Sequence, residues 1–111
     1  MRQSYTAVVA RNEPWEGEMA TQAYEAPWAG EAIFFVRLLE ASGPVAGTVA
    51  RVQISPDGMR WVDEGTAVAF PGATEIVTFA RVRHFGSHLR LWARLPDGAS
   101  CKILVTLDLK E

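Results

Sequence analysis

The chain has 111 residues, the length of one ordinary domain, of which 49% are hydrophobic and 22% charged. That balance excludes a disordered or fibrous chain and suffices for a core that needs no metal or disulfide support. A net charge of -2 offers nothing to nucleic acid or an anionic membrane, and the single cysteine, Cys101, rules out an internal disulfide.

Residues 1–111 are read as a single domain. No apolar stretch approaches the length that crosses a bilayer. Met1-Arg2-Gln3-Ser4-Tyr5 leads straight into an alternating segment, without the apolar run of a signal peptide. The expected location is cytoplasmic as synthesised, with later incorporation into a larger particle or surface assembly left open.

No window shows a helical apolar period, whereas short runs alternate with period two and end at Gly, Pro or Asp. The strands predicted from this punctuation are about 4–11, 18–25, 31–40, 47–55, 59–63, 66–70, 75–83, 88–95 and 101–109. The fold class is all-β: a two-sheet antiparallel sandwich, jelly-roll-like, of about eight strands.

After the first strand, residues 12–30 gather Trp15, Tyr24, Pro27 and Trp28 among Glu13, Glu16, Glu18 and Glu25. Trp15, Tyr24 and Trp28 are the candidate ligand-binding residues, as a platform for stacking a sugar. The alternative, preferred here, is that these rings plug one end of the sandwich, because aromatic side chains bury large areas. The strand at 31–40 is apolar on both sides, with Phe34, Val36 and Leu38 on one face and Ile33, Phe35 and Leu39 on the other. Such strands are covered on both sides, by the chain itself or by another molecule.

Ser55-Pro56-Asp57-Gly58-Met59-Arg60-Trp61 is the most specific local pattern, Ser-x-Asp-Gly-x-x-Trp. It predicts a hairpin in which Ser55 and Asp57 cap turn amides, Gly58 relieves the backbone, and Trp61 packs back as a buried aromatic. The pattern resembles that of discoidin-like, galactose-binding-like β-sandwiches and of modules attached to phage tails and other surface assemblies. The likeness continues into Phe85-Gly86-Ser87-His88-Leu89-Arg90-Leu91 and spans about residues 47–95. It implies a jelly-roll or related sandwich that binds through its end loops or outer face, and it implies no chemistry.

For the last three strands a register can be inferred, because a slip of one residue exchanges core and solvent faces. A two-residue turn at Phe85-Gly86 sets Val82 opposite Leu89, Ala80 opposite Leu91 and Thr78 opposite Ala93. A five-residue loop from Pro96 to Ser100 then sets Ala93 opposite Ile103, Leu91 opposite Val105 and Leu89 opposite Leu107. The opposite face would carry Phe79, Arg81, Arg83, His88, Arg90, Trp92, Arg94, Leu104, Thr106 and Asp108, with Arg81 directly across from Arg90. Like charges so placed are unfavourable without a partner. The reading preferred for them is that the guanidinium groups lie over Trp92 and pair with carboxylates such as Asp108 or Glu64.

No catalytic constellation emerges from His84, His88 and Cys101, and there is no phosphate loop or metal-ligand spacing. Cys101 reads as a buried, inert strand residue. The expected function is that of a non-enzymatic structural protein, without cofactor or metal, that self-associates or joins other protein subunits as an assembly, decoration or appendage component. The interface residues expected are Ile33, Phe35, Leu39, Phe79, Arg81, Arg90, Trp92, Arg94 and Leu104. The alternative is a module that binds carbohydrate or another surface ligand, with a glycan as partner.

Overall fold

In the computed structural model, residues 4–111 are described. Met1, Arg2 and Gln3, read above as leading into the first strand, lie outside them. Nine strands follow in chain order: β1 (Ser4–Glu16), β2 (Glu18–Ala20), β3 (Tyr24–Glu25), β4 (Glu31–Ser42), β5 (Val49–Ser55), β6 (Val62–Ala69), β7 (Val77–Arg83), β8 (His88–Arg94) and β9 (Ser100–Lys110). Among the described residues there is no helix.

All pairings are antiparallel, in two sheets. One has the order β1-β9-β4-β7; the other runs β2-β8-β5-β6, with β3 also on β8. Since β2 and β3 both lie along β8, they act as two halves of one strand, and the chain then has the eight-strand order of a jelly roll, the class expected from sequence. The break between the halves is bridged by a side chain. Thr21 is buried, its amide donates to the Leu91 carbonyl at 2.9 Å, and its hydroxyl accepts from the Leu91 amide at 3.0 Å.

Period-two alternation places the core. On β4, Ala32, Phe34, Val36 and Leu38 are buried; on β9, Cys101, Ile103, Val105, Leu107 and Leu109; on β8, Leu89, Leu91 and Ala93. These sets face one another between the sheets, and each fully buried Leu, Ile, Val or Phe contributes roughly 1.5–3 kcal/mol. Cys101 belongs to this core, and burial pushes its thiol pKa up.

The pairing of the last three strands differs from the sequence reading. β7 and β8 are not a hairpin, nor are β8 and β9, since β7 and β9 both pair with β4 in one sheet while β8 pairs with β5 in the other. Phe85 is the reason at the first corner: it is 2% exposed, whereas the tip of a two-residue turn would have left it in water. Its burial carries the chain across the core to the opposite sheet. At the next corner Leu95 and Ala99 are buried and do the same. The inward set was nevertheless correctly assigned, because residues expected side by side meet face to face across the core.

The one hairpin between consecutive strands of a sheet that sequence identified is β5–β6. In place of the separate strands read at 59–63 and 66–70 there is a single β6 from Val62 to Ala69, with residues 59–61 in the loop before it. Its loop is capped as expected: Ser55 Oγ accepts from the amides of Asp57 at 3.2 Å and Gly58 at 2.8 Å, and Asp57 Oδ1 accepts from those of Met59 at 2.9 Å and Arg60 at 3.0 Å. Gly58 has φ +79°, which glycine adopts without strain. At one end of the sandwich the loops touch so closely that a Cβ at Gly43 would stand 2.2 Å from the Gly98 carbonyl oxygen.

Candidate functional site

Two outer faces remain once the core is closed, and they differ in chemistry. On the four-stranded sheet, register places Phe35 of β4 directly opposite Phe79 of β7 on one side and Thr106 of β9 on the other. The two rings lie 6.1 Å apart at 40°, a geometry that adds about 0.5–1.5 kcal/mol to area burial. Ile33 sits between Arg81 and Asp108, and Arg37 between Val77 and Leu104. The Arg81 guanidinium rests 5.1 Å from the Phe79 ring centre. Val8 of β1, opposite Thr106, extends the patch to the far edge.

The patch is open to solvent at its margins. Phe79 and Val77 are each 50% exposed and Val8 is 37% exposed, while Ile33, Phe35 and Leu104 are half-buried. Polar contacts frame it: the Thr6 hydroxyl donates to Asp108 at 2.7 Å, and Arg37 pairs with Glu75. Leu39 lies half-buried at the register shift that follows Leu38.

On the five-stranded sheet the outward side chains hold one another. Arg94 and the Trp92 indole both donate to Glu18, at 2.9 and 3.3 Å. These two bonds hold the Glu18 carboxyl below its ordinary range. Arg90 donates to Gln53 at 2.9 Å, and Gln53 donates to Asp63 at 3.1 Å. The Arg90 guanidinium also stacks 4.3 Å from the centre of the Trp61 ring.

The expected interface residues therefore divide between opposite sides of the molecule. Ile33, Phe35, Phe79, Arg81 and Leu104 come together on the four-stranded sheet, with Leu39 at its bulge; Arg90, Trp92 and Arg94 stand on the other sheet. Arg81 does not face Arg90: its cross-strand neighbour is Ile33, and the opposite of Arg90 is Gln53. The acid that meets the arginine and tryptophan of β8 is Glu18, rather than Asp108 or Glu64. Trp61 is half-buried beneath Arg90 and not part of the core.

The three candidate stacking residues do not form a platform. Trp15 is fully buried against Phe70, with ring centres 6.2 Å apart, and pairs with Cys101 near one end of β9. Trp28 belongs to the opposite end, where Gly30 donates to the Lys110 carbonyl, roughly 30 Å along that strand. Tyr24 is stacked on Tyr5 at 6.2 Å. Sequence reasoning missed Val8, Val77, Glu18 and Tyr5, because each acquires its role from a neighbour in a strand distant in sequence.

No family model matches the chain, and no curated protein matches it. Its structure is similar to the crystal structure of the SPBc2 prophage-derived protein YomS, with a TM-score of 0.66 over 100% of this chain and 96% of that one, at 5% sequence identity. The likeness is one of fold.

Proposed function

We propose that the chain is a non-enzymatic structural subunit that self-associates through the outer face of its four-stranded sheet, as an assembly, decoration or appendage component. The observation that carries this reading is the Phe35–Phe79 pair, set among Ile33, Val8, Val77 and Leu104 on a surface where Phe79 and Val77 are each 50% exposed. A contiguous apolar patch rimmed by polar pairs is the usual mark of a protein contact surface. A prophage origin for a protein of similar fold is in keeping with such a role.

The test is light scattering over a range of concentrations, with Phe79→Glu beside the parent chain. The expected result is a parent that associates as concentration rises and a folded variant that does not. A parent that stays monomeric to its solubility limit, or a Phe79→Glu chain that associates as well as the parent, overturns the proposal.

A further inference from the structure

Sheets in a sandwich end in edge strands whose unpaired backbone groups can accept another strand, and proteins blunt such edges with bulges, short strands, charges or covering segments. Three of the four edges here are interrupted. β1 shifts register against β9 twice, between Val8 and Ala10 and again between Ala10 and Glu13. β6 shifts against β5 between Arg51 and Gln53, where Gly65 has φ +113°. The edge formed by β2 and β3 consists of pieces of three and two residues.

β7 is different. All seven of its residues pair with β4 without a shift, Glu31 to Arg37 against Arg83 to Val77, and it contains neither Gly nor Pro. Val77 and Phe79, each 50% exposed, stand on it, and Ile76, equally exposed, immediately precedes it. Between β6 and the start of β7 runs a groove lined by Ala67, Val68, Ala69, Val77, Thr78 and Phe79, with no charged side chain. The Thr78 hydroxyl oxygen is buried and has no hydrogen-bond partner among the described residues.

We propose that β7 is a docking edge for a second copy of this chain, whose own β7 adds antiparallel about a twofold axis through Phe79 and joins two four-stranded sheets into one of eight. The inference rests on the self-association reading and adds to its face contact a twofold contact at the edge of the same sheet. Opposed residues in an antiparallel pair share a face, so this register carries the Phe35–Phe79 pair on into the partner's Phe79 as one aromatic row. Val77 meets the partner's Arg81, and Thr78 meets the partner's Ala80. Ile76 meets the partner's Val82, so all three exposed apolar side chains of the edge are covered.

Charge favours the same alignment. Arg81 and Arg83 are the charges that would otherwise guard this edge, and pairing about Arg81 would set like charges against each other. About Phe79, Arg81 meets valine, and Arg83 reaches the turn before the partner's strand where Glu75 stands, a carboxylate that among the described residues pairs with Arg37. The incoming main chain passes the uncharged groove beside Thr78.

The register is tested by oxidative cross-linking in a Cys101→Ala background. Chains carrying Val77→Cys and chains carrying Arg81→Cys should each fail to cross-link alone and form a covalent heterodimer when mixed; Phe79→Cys should cross-link to itself. If the parent chain associates and Phe79→Glu abolishes that association, yet the mixture forms no heterodimer, the edge pairing is wrong while the self-association reading stands. If the parent is monomeric throughout, both fall. Hydrogen exchange on the unmodified chain guards against variants that do not fold. Residues 77–83 should gain protection as concentration rises, and unchanged exchange there in the associated state overturns the pairing.

Discussion

The two outer faces use similar residues and reach opposite results. Each carries arginines and aromatic rings at alternate strand positions, yet on the five-stranded sheet Glu18, Gln53, Asp63 and Trp61 meet Arg94, Trp92 and Arg90 across neighbouring strands. On the four-stranded sheet the polar partners stand at the margins, and the centre is left to Phe35 and Phe79. Surface ion pairs contribute only about 0–1 kcal/mol each. Their larger effect is to occupy the charged and aromatic groups, so that this face has little left to offer a partner. The character of a sheet face is therefore decided by which strand lies alongside, and not by its own composition.

The largest expected effect separates outside from inside on a single strand. Leu91 is fully buried directly between the outward Arg90 and Trp92. Leu91→Glu should cost about 5 kcal/mol or more, comparable to the whole stability of a small domain, and circular dichroism at room temperature should show no cooperative unfolding transition. A folded Leu91→Glu chain would mean that β8 has been assigned the wrong inner face.

Next comes the contrast between the faces themselves. Phe79→Glu should cost about 1–2 kcal/mol through its lost contacts with Phe35 and Arg81, leave the chain folded, and abolish association; Trp92→Glu on the opposite sheet should leave association intact. Thermal melting and light scattering measure both. Equal loss of association from the two variants would show that the faces are not functionally distinct.

A smaller effect is expected at Trp61. The ring lies half-exposed under Arg90, so Trp61→Ala should cost about 1 kcal/mol, the scale of an exposed cation–π contact with some lost packing. A core aromatic would cost roughly 3–5 kcal/mol. Denaturant unfolding distinguishes the two, and a loss in the upper range would place Trp61 in the core after all.

Trp61 also marks where reading the sequence stops working. Alternation alone located the inner residues of β4, β7, β8 and β9, and the Ser55–Gly58 loop was legible because its hydrogen bonds are local. Pairing was not legible. Whether Phe85 tips a hairpin or crosses the core depends on a cavity that only the assembled sheets create, and both turns satisfy the same alternation. For that reason Arg81 and Arg90, placed directly opposite each other from sequence, stand on opposite sides of the molecule, while Phe35 and Phe79, 44 positions apart in the chain, are neighbours. The candidate patch could be suspected from the two-sided apolar pattern of residues 31–40, but its partner strands could not.

The smallest effect concerns acid, and it belongs to the hairpin at the end of the five-stranded sheet. The amides of Arg60 and Met59 and the Ser55 hydroxyl all donate to Asp57, and they lower its pKa from 3.8 to about 2. Because the folded value lies below the unfolded one, the charged carboxylate stabilises the fold fully above about pH 4, and this contribution is lost as pH falls through about 2. Asp57→Asn keeps an oxygen that can accept the loop amides but removes the charge that strengthens those bonds. The melting temperature of the variant should lie below that of the parent near neutral pH, and the gap should close between about pH 4 and pH 2 as the parent's carboxylate takes up its proton. A gap that persists unchanged to pH 2 would mean that Asp57 acts through shape alone, with its charge contributing nothing to the loop.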